Sequence, residues 1–140
     1  MTSSKGLIAD DLSSINILFA PEARELGWHF DNSSFAVTML LQAPEGGGVF
    51  EYVPDVRDPD GDPDVVEFER VRRVLDGEEK IDTLPFAPGD LVLFRGRNAL
   101  HQVTPTQRSV TRLLVVFAFN DRPGVGLSDS ALLTFYGRTS

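Results

Sequence analysis

The chain has 140 residues, of which 41% are apolar and 24% are charged. A chain of this length builds one hydrophobic core, so we expect a single domain over residues 1–140. With 13 Lys and Arg against 21 Asp and Glu, the net charge of −8 argues against nucleic acid and anionic membrane as partners. Because the sequence contains no cysteine, disulfides, thiolate metal sites and a cysteine nucleophile are excluded.

The amino-terminal residues carry no basic segment followed by an apolar one, which a secretory signal would need. No apolar run reaches the roughly 18 residues that span a membrane. The sequence therefore predicts a cytoplasmic protein.

The first part of the chain predicts three strands, at 14–20, 34–42 and 48–53. These segments are rich in Val, Ile, Phe, Leu and Thr, and turn-forming residues separate most of them. The three glycines at 46–48 lack the Lys and Ser or Thr of a phosphate-binding loop, so we interpret them as a hairpin connection.

Residues 55–64 contain five aspartates, which suggest a calcium-binding loop. Pro63 occupies the position at which such a loop needs glycine, so a solvated loop is the better interpretation. It leads into a helix predicted over 62–77, with Asp62 as N-cap, Pro63 as the first helical residue and Gly77 as the stop. Its apolar positions at helical spacing are Val65, Phe68, Val71, Val74 and Leu75. This stripe predicts that the helix packs against the outside of a sheet.

Four more strands are predicted, at 90–95, 99–104, 111–120 and 132–136. The run 112–119 is apolar on both faces, which is typical of a strand inside a sheet with a covering layer. Seven strands and one helix predict a mainly β sandwich or barrel with one covering helix.

Four polar residues form the candidate site. His29 and Asp31 are two apart, so an extended segment would point both side chains to one face. His101, the only other histidine, lies in a predicted strand that can supply a third ligand. Two imidazoles and one carboxylate leave three octahedral positions open, as iron(II) oxygenases require. Arg112 starts the apolar strand, where a guanidinium needs an anion.

Simpler interpretations exist for each residue alone. His29 and Asp31 would form an ordinary hydrogen-bonded pair, and His101 would be a core histidine. Arg112 would form an ion pair with Asp90 or Glu51. None of these explains the four residues together.

Four segments carry a resemblance to a known family: LGWHFDNSSFAVTMLLQ (26–42), GGVFEYVP (47–54), PGDLVLFRGR (88–97) and FYGR (135–138). They are similar to the iron(II)/2-oxoglutarate-dependent oxygenases, closest to the branch of free amino-acid halogenases and their hydroxylase relatives. The resemblance covers about residues 15–138. It implies a double-stranded β-helix, the jelly-roll or cupin-like fold.

The resemblance also implies the chemistry. His29, Asp31 and His101 correspond to the iron ligands, and Arg112 to the residue that binds the distal carboxylate of 2-oxoglutarate. The halogenases of this branch have Gly at the carboxylate position, where chloride binds, so Asp31 implies hydroxylation instead. The expected reaction uses O₂ to oxidise 2-oxoglutarate to succinate and CO₂ while a small amino acid or similar metabolite is hydroxylated. By their proximity to the motifs, Asn32, Glu51, Tyr52 and Arg97 are candidate substrate contacts.

Relatives carry a helical region before the first core strand, whereas about a dozen residues precede that strand here. We therefore expect a minimal domain without this region, and a homodimer that covers the exposed sheet face. Two other functions stay open. One is a cupin-type metal oxygenase or isomerase that does not use 2-oxoglutarate, and the other is a truncated, non-catalytic binding or assembly module.

Overall fold

The computed structural model describes residues 15–58, 60–62, 65–124, 126, 128, 129, 132, 133, 137 and 138. The elements in these residues are β1 (Ile15–Ala20), β2 (Leu26–His29), β3 (Phe35–Gln42), β4 (Gly46–Gly47), β5 (Phe50–Val53), α1 (Phe68–Leu75), β6 (Asp82–Leu84), β7 (Leu91–Phe94), β8 (Leu100–Val103), β9 (Thr106–Gln107) and β10 (Arg112–Phe119). No helix among the described residues is long and apolar enough to cross a membrane.

The strands form two antiparallel four-stranded sheets. The first sheet has the order β1-β10-β3-β7 and the second the order β2-β8-β5-β6, while β4 and β9 form a two-stranded ribbon. Most neighbours within a sheet are distant in the chain, because the chain crosses repeatedly from one sheet to the other. This architecture is a double-stranded β-helix of the jelly-roll or cupin type, as the resemblance implied.

The first sheet has apolar side chains on both faces. Its interior strand β10 buries Leu114 and Ala118 between the sheets, as the apolar run predicted. On the other face, two apolar rows cross all four strands in register: Ile15, Phe117, Val37 and Leu93, and next to them Ile17, Val115, Met39 and Leu91. We call these eight residues the outer rows. Their members on the edge strands β1 and β7 are each more than half exposed.

The helix α1 covers the outside of the second sheet, as predicted. Val74 of the helix is buried together with Val53 of β5, Leu100 of β8 and Val56. Consecutive residues of a strand point to opposite faces, so Leu100 facing the helix turns its neighbour His101 towards the space between the sheets.

The predicted start of the helix was wrong. The helix begins at Phe68, and Glu67 rather than Asp62 occupies the N-cap position. Asp62 instead accepts a hydrogen bond at its carbonyl from the Val65 N–H (3.0 Å), which forms a turn before the helix. Val65 and its neighbour Val66 are β-branched and disfavour helix, which explains the delay. The predicted end is confirmed, because Gly77 has a φ of 75°.

The predicted strand over 132–136 was also wrong where the structure describes it. Leu132 and Leu133 are helical. The Leu132 N–H donates to the Ser128 carbonyl (2.9 Å), and the Gly137 N–H donates to the Leu133 carbonyl (3.0 Å). Ser128 and Asp129 before an Ala-Leu-Leu run are typical of a helix start, a signal stronger than the β preference of the residues that follow. Residues 134–136 lie outside the described part.

Candidate metal centre

Two histidines and one aspartate meet on the inner side of the second sheet. His29 ends β2 and lies opposite His101 of β8 in the strand register. The Asp31 N–H donates to the Gly96 carbonyl (3.0 Å), which ties the segment after β2 to the turn between β7 and β8. Asp31 Oδ1 lies 3.6 Å from His29 Nε2 and 3.3 Å from His101 Nε2. The three residues that the sequence predicted as one cluster are therefore adjacent.

The other nitrogen of each imidazole is paired with a backbone carbonyl. His29 Nδ1 lies 2.7 Å from the Gly27 oxygen, and His101 Nδ1 lies 2.9 Å from the Ala99 oxygen. Because a carbonyl can only accept, both Nδ1 atoms carry the hydrogen, and each neutral ring presents a lone pair at Nε2. This is the tautomer in which an imidazole binds a metal through Nε2.

The space between the three side chains favours a cation. Burial would raise the pKa of Asp31, but hydrogen bonds and charge interactions with His101 and His29, made when their Nε2 atoms carry a proton, hold this pKa well below its usual range. Burial would also lower the pKa of His29, but its bonds to Asp31 and to the Gly27 carbonyl raise it above the ordinary value. Without a proton or a metal ion, the Asp31 oxygen would face two imidazole lone pairs.

The distances fit a divalent transition metal. The candidate ligand atoms all lie within 4.8 Å of one another, whereas ligands at right angles and about 2.1 Å from an ion are about 3 Å apart. A small inward movement of the side chains would therefore suffice to bind an ion. Imidazole and carboxylate suit iron, zinc and nickel alike, so the donor set alone does not select iron. Within the described ranges, this is the one such group of three potential ligands.

Aromatic rings enclose His101. The Phe50 ring stacks on it with the ring centroids 5.5 Å apart, and the Phe94 ring meets it edge-on at 4.8 Å. The His101 side chain is only 5% exposed. Packing on two sides and the bond at Nδ1 together fix the direction of Nε2.

The cluster opens into a cavity of about 660 Å³ between the two sheets. The wall from the first sheet is largely apolar, and so is the wall from the second; the residues include Leu18, Ala36, Val92, Leu114, Val116, Phe50, Leu84 and Val103. Arg24, Glu25, Asp31 and Arg112 are the charged wall residues in the described part. A mostly apolar cavity of this size with a few polar groups is typical of a small-molecule site.

Arg112 lines this cavity, and one nitrogen of its guanidinium has no hydrogen-bond partner. The residue is 4% exposed, and its Nη2 atom is buried without a hydrogen-bond partner. Burial lowers the pKa of Arg112, as expected where no anion compensates the charge. The proposed pairing with Asp90 or Glu51 is absent: Asp90 accepts from the Ala87 N–H (2.9 Å), and Glu51 accepts from Gln102 Nε2 (2.6 Å).

None of the four candidate substrate contacts is among the residues that line this cavity. Asn32 is exposed, and Glu51 bonds Gln102. Tyr52 is paired with His101 in the strand register and its ring lies 5.9 Å from that of Phe94. The Arg97 carbonyl accepts from Arg57 Nη1 (3.5 Å). Their role in substrate binding stays a prediction.

Two glycines for which the sequence predicted no role in the site touch it, and one of them, Gly48, belongs to the triplet that was interpreted as a hairpin connection. A Cβ atom on Gly96 would collide with the carboxylate of Asp31. A Cβ atom on Gly48 would lie 3.0 Å from Arg112 Cδ and 2.9 Å from Pro44 Cγ. Both glycines belong to motifs quoted above, but the motifs do not tell which side chain each glycine makes room for.

A domain of the jelly-roll, cupin-like class therefore carries a two-histidine, one-carboxylate cluster that could bind a metal ion and that opens into an internal cavity. Residues 20–126 match the model of the Halogenase D family, and the chain belongs to that family. It is thus halogenase-like, which agrees with the resemblance noted in the sequence at this coarser level.

The solved structures include a similar fold in the PvcB protein from Pseudomonas aeruginosa. The TM-score is 0.57 at 14% sequence identity, and the match covers 81% of this chain and 66% of that one. At this identity the likeness shows the fold alone, and this chain spans just under two thirds of the PvcB chain. No curated protein sequence matches this chain.

Proposed function

We propose that this chain is an iron(II)- and 2-oxoglutarate-dependent oxygenase domain that hydroxylates a small amino acid or a similar metabolite. His29, Asp31 and His101 would hold the iron, and Arg112 would bind the distal carboxylate of 2-oxoglutarate. Membership of the Halogenase D family supports an oxygenase-type enzyme. The substrate class rests on the resemblance of the sequence to the amino-acid halogenases and hydroxylases.

One observation carries the proposal: the three potential metal ligands and Arg112, whose Nη2 atom has no hydrogen-bond partner, line the same cavity. A cluster alone would fit many cupin-like proteins. A 2-oxo dianion satisfies both groups, since its 2-oxo acid end chelates a metal and its other carboxylate matches the fork of a guanidinium.

Bound iron would couple the conversion of 2-oxoglutarate and O₂ to succinate and CO₂ with the insertion of one oxygen atom into a substrate C–H bond. The protein itself would position the reacting groups and keep water away from them. Arg112 would hold the distal carboxylate of the cosubstrate, and the carbonyls of Gly27 and Ala99 orient the two imidazoles. The apolar wall excludes water from the reacting groups.

Asp31 supports hydroxylation over halogenation. The resemblance implies that a halogenase leaves this position to glycine so that a halide can bind. Here the Asp31 oxygen lies 3.3 Å from His101 Nε2 and takes up that space. The name of the family therefore describes the fold and the general chemistry better than the expected product.

The test is an anaerobic titration of the apoprotein with iron(II) and then 2-oxoglutarate, followed by the weak visible absorption of a chelated 2-oxo acid. Addition of O₂ and an assay for succinate complete it. Arg112→Ala is expected to weaken 2-oxoglutarate binding by about 30-fold or more, because truncating one partner of a buried charge pair costs roughly 2 kcal/mol or more. Arg122→Ala, which removes an exposed arginine outside the cavity wall, is the matched control and should bind as the wild type does.

Other outcomes favour the alternatives. No visible band with wild-type protein would reject 2-oxoglutarate as cosubstrate. Iron-dependent turnover without succinate would point to a cupin-type oxygenase or isomerase. Binding of metal or 2-oxoglutarate without turnover on any amino acid would point to a non-catalytic binding or assembly module.

A further inference from the structure

Gly96 is buried in the turn between β7 and β8, directly against Asp31. A Cβ atom built on Gly96 would strike the Asp31 Oδ2 and Cγ atoms and would lie 2.9 Å from Asp31 Cβ. The φ of Gly96 is not positive, so its backbone conformation is open to other residues. The carboxylate of Asp31 is what requires a glycine here.

Hydrogen bonds hold the backbone on both sides of this contact, at Gly96 and at Asp31. The Gly96 carbonyl accepts the Asp31 N–H (3.0 Å). The rest of the turn is bonded to the segment after β5: the Arg57 N–H donates to the Asn98 carbonyl (3.0 Å), and Asn98 Nδ2 donates to the Arg57 carbonyl (3.4 Å). With the backbone held from both directions, an added methyl group would displace the Asp31 side chain.

We infer that Gly96 is a positioning residue that permits residue 31 to be a carboxylate ligand. The inference rests on the proposed function, because it assumes that Asp31 binds the metal. The residue at position 96 therefore helps to determine whether the third metal ligand is the carboxylate of residue 31 or a group from solution. The coupling is specific, because replacing Asp31 by glycine removes the three atoms that would lie nearest to a Cβ at position 96.

The experiment is a double-mutant cycle of wild type, Gly96→Ala, Asp31→Gly and the combination, measured by anaerobic titration with Co(II) and by thermal unfolding of the metal-free proteins. Gly96→Ala is expected to weaken Co(II) binding by about 10- to 100-fold, the usual effect of disturbing a group that orients a ligand. In the Asp31→Gly background the same substitution should change Co(II) affinity less than about twofold, and should lower the melting temperature less than it does with Asp31 present.

Gly46→Ala is the matched control. It adds the same methyl group at a glycine whose φ is also not positive and whose new Cβ would meet mainly the side chain of Gln107, an exposed residue that can move aside. This variant should bind Co(II) as the wild type does.

The outcomes are distinguishable. If wild-type protein binds no divalent metal, the proposed function and this inference both fail. If the wild type binds Co(II) and Gly96→Ala binds it equally well, or if the loss is the same with and without Asp31, only the inference about Gly96 fails. If Gly96→Ala does not fold, a folded double variant supports the contact, and an unfolded double variant overturns it.

Discussion

Gly48 makes room for Arg112 as Gly96 makes room for Asp31. Its φ of 60° is in the left-handed region, and a Cβ atom there would lie 3.0 Å from Arg112 Cδ. Gly48→Ala should therefore cost about 1–2 kcal/mol of stability from the backbone and also weaken 2-oxoglutarate binding by displacing Arg112. Denaturant unfolding and the anaerobic titration measure the two effects.

Gly89→Ala separates these effects, because Gly89 also has a positive φ of 89° but a Cβ there would meet nothing within 4 Å. This variant should lose stability and keep its affinity for 2-oxoglutarate. Equal affinities for the Gly48→Ala and wild-type proteins would contradict a role of Gly48 in placing Arg112.

The metal ligands differ in what their removal should do. His101→Ala is expected to abolish metal binding, since it removes the most buried ligand. Asp31→Gly should retain weaker binding through the two imidazoles and become sensitive to chloride. Co(II) titrations with and without chloride measure both. If Asp31→Gly binds Co(II) as tightly as wild type, Asp31 is not a ligand.

At this scale the sequence predicted which polar side chains meet, and could not predict the glycines. The sequence has only two histidines, and Asp31 lies two residues after one of them. These three potential metal ligands therefore stand out in the sequence. The roles of Gly48 and Gly96 depend on contacts with Arg112 and Asp31, which are far away in the chain. Nothing local distinguishes these two glycines from the others.

Among the elements, α1 shows what periodicity can and cannot predict. Val71 and Val74 pack against the second sheet as predicted. Phe68 and Leu75 are 77% and 60% exposed, because the eight-residue helix presents only a narrow face to the sheet. The strands β2, β4, β6 and β9 were not predicted, since two to four residues give little periodicity to detect and their pairing depends on strands far away in the chain.

Val74→Ala is expected to destabilise the protein by roughly 1.5–3 kcal/mol, because it removes buried methyl groups and leaves a cavity beside Val53 and Leu100. Leu75→Ala is its control on the exposed side of the same helix, with an expected change within about 0.5 kcal/mol. Urea unfolding measures both. Equal destabilisation by the two variants would mean that α1 does not pack through Val74.

For the whole molecule, the outer rows bear on self-association. They carry no charge, whereas the chain as a whole has a net charge of −8 that makes two copies repel. An uncharged apolar sheet face is where a second copy can approach. We therefore propose that two copies pair through the outer rows.

Sedimentation at several protein concentrations tests this pairing. Leu93→Lys, at a position 67% exposed on an edge strand, should shift the protein towards the monomer. Glu22→Lys, an exposed change of charge outside the outer rows, should not. A wild-type protein that stays monomeric at all concentrations would contradict the pairing.

The two halves of the candidate site belong to different sheets. Arg112 is on β10 of the first sheet, while His29 and His101 are on β2 and β8 of the second. A dianion that reaches both groups stabilises the folded state by an amount that grows with ligand concentration, about 2.7 kcal/mol at 100 times its dissociation constant. With metal present, 2-oxoglutarate should raise the melting temperature of the wild type further. Arg112→Ala should lose this additional rise and keep the rise that the metal alone produces.

A ligand bound in this cavity would therefore also restrict the movement of one sheet relative to the other. With 2-oxoglutarate bound as proposed, any motion that widens the gap between the sheets would pull the anion away from Arg112 or from the metal, so the loaded protein would resist such opening more than the empty protein. In the proposed reaction 2-oxoglutarate is converted to succinate, which lacks the chelating 2-oxo acid group, so this link between the two sheets would weaken after turnover.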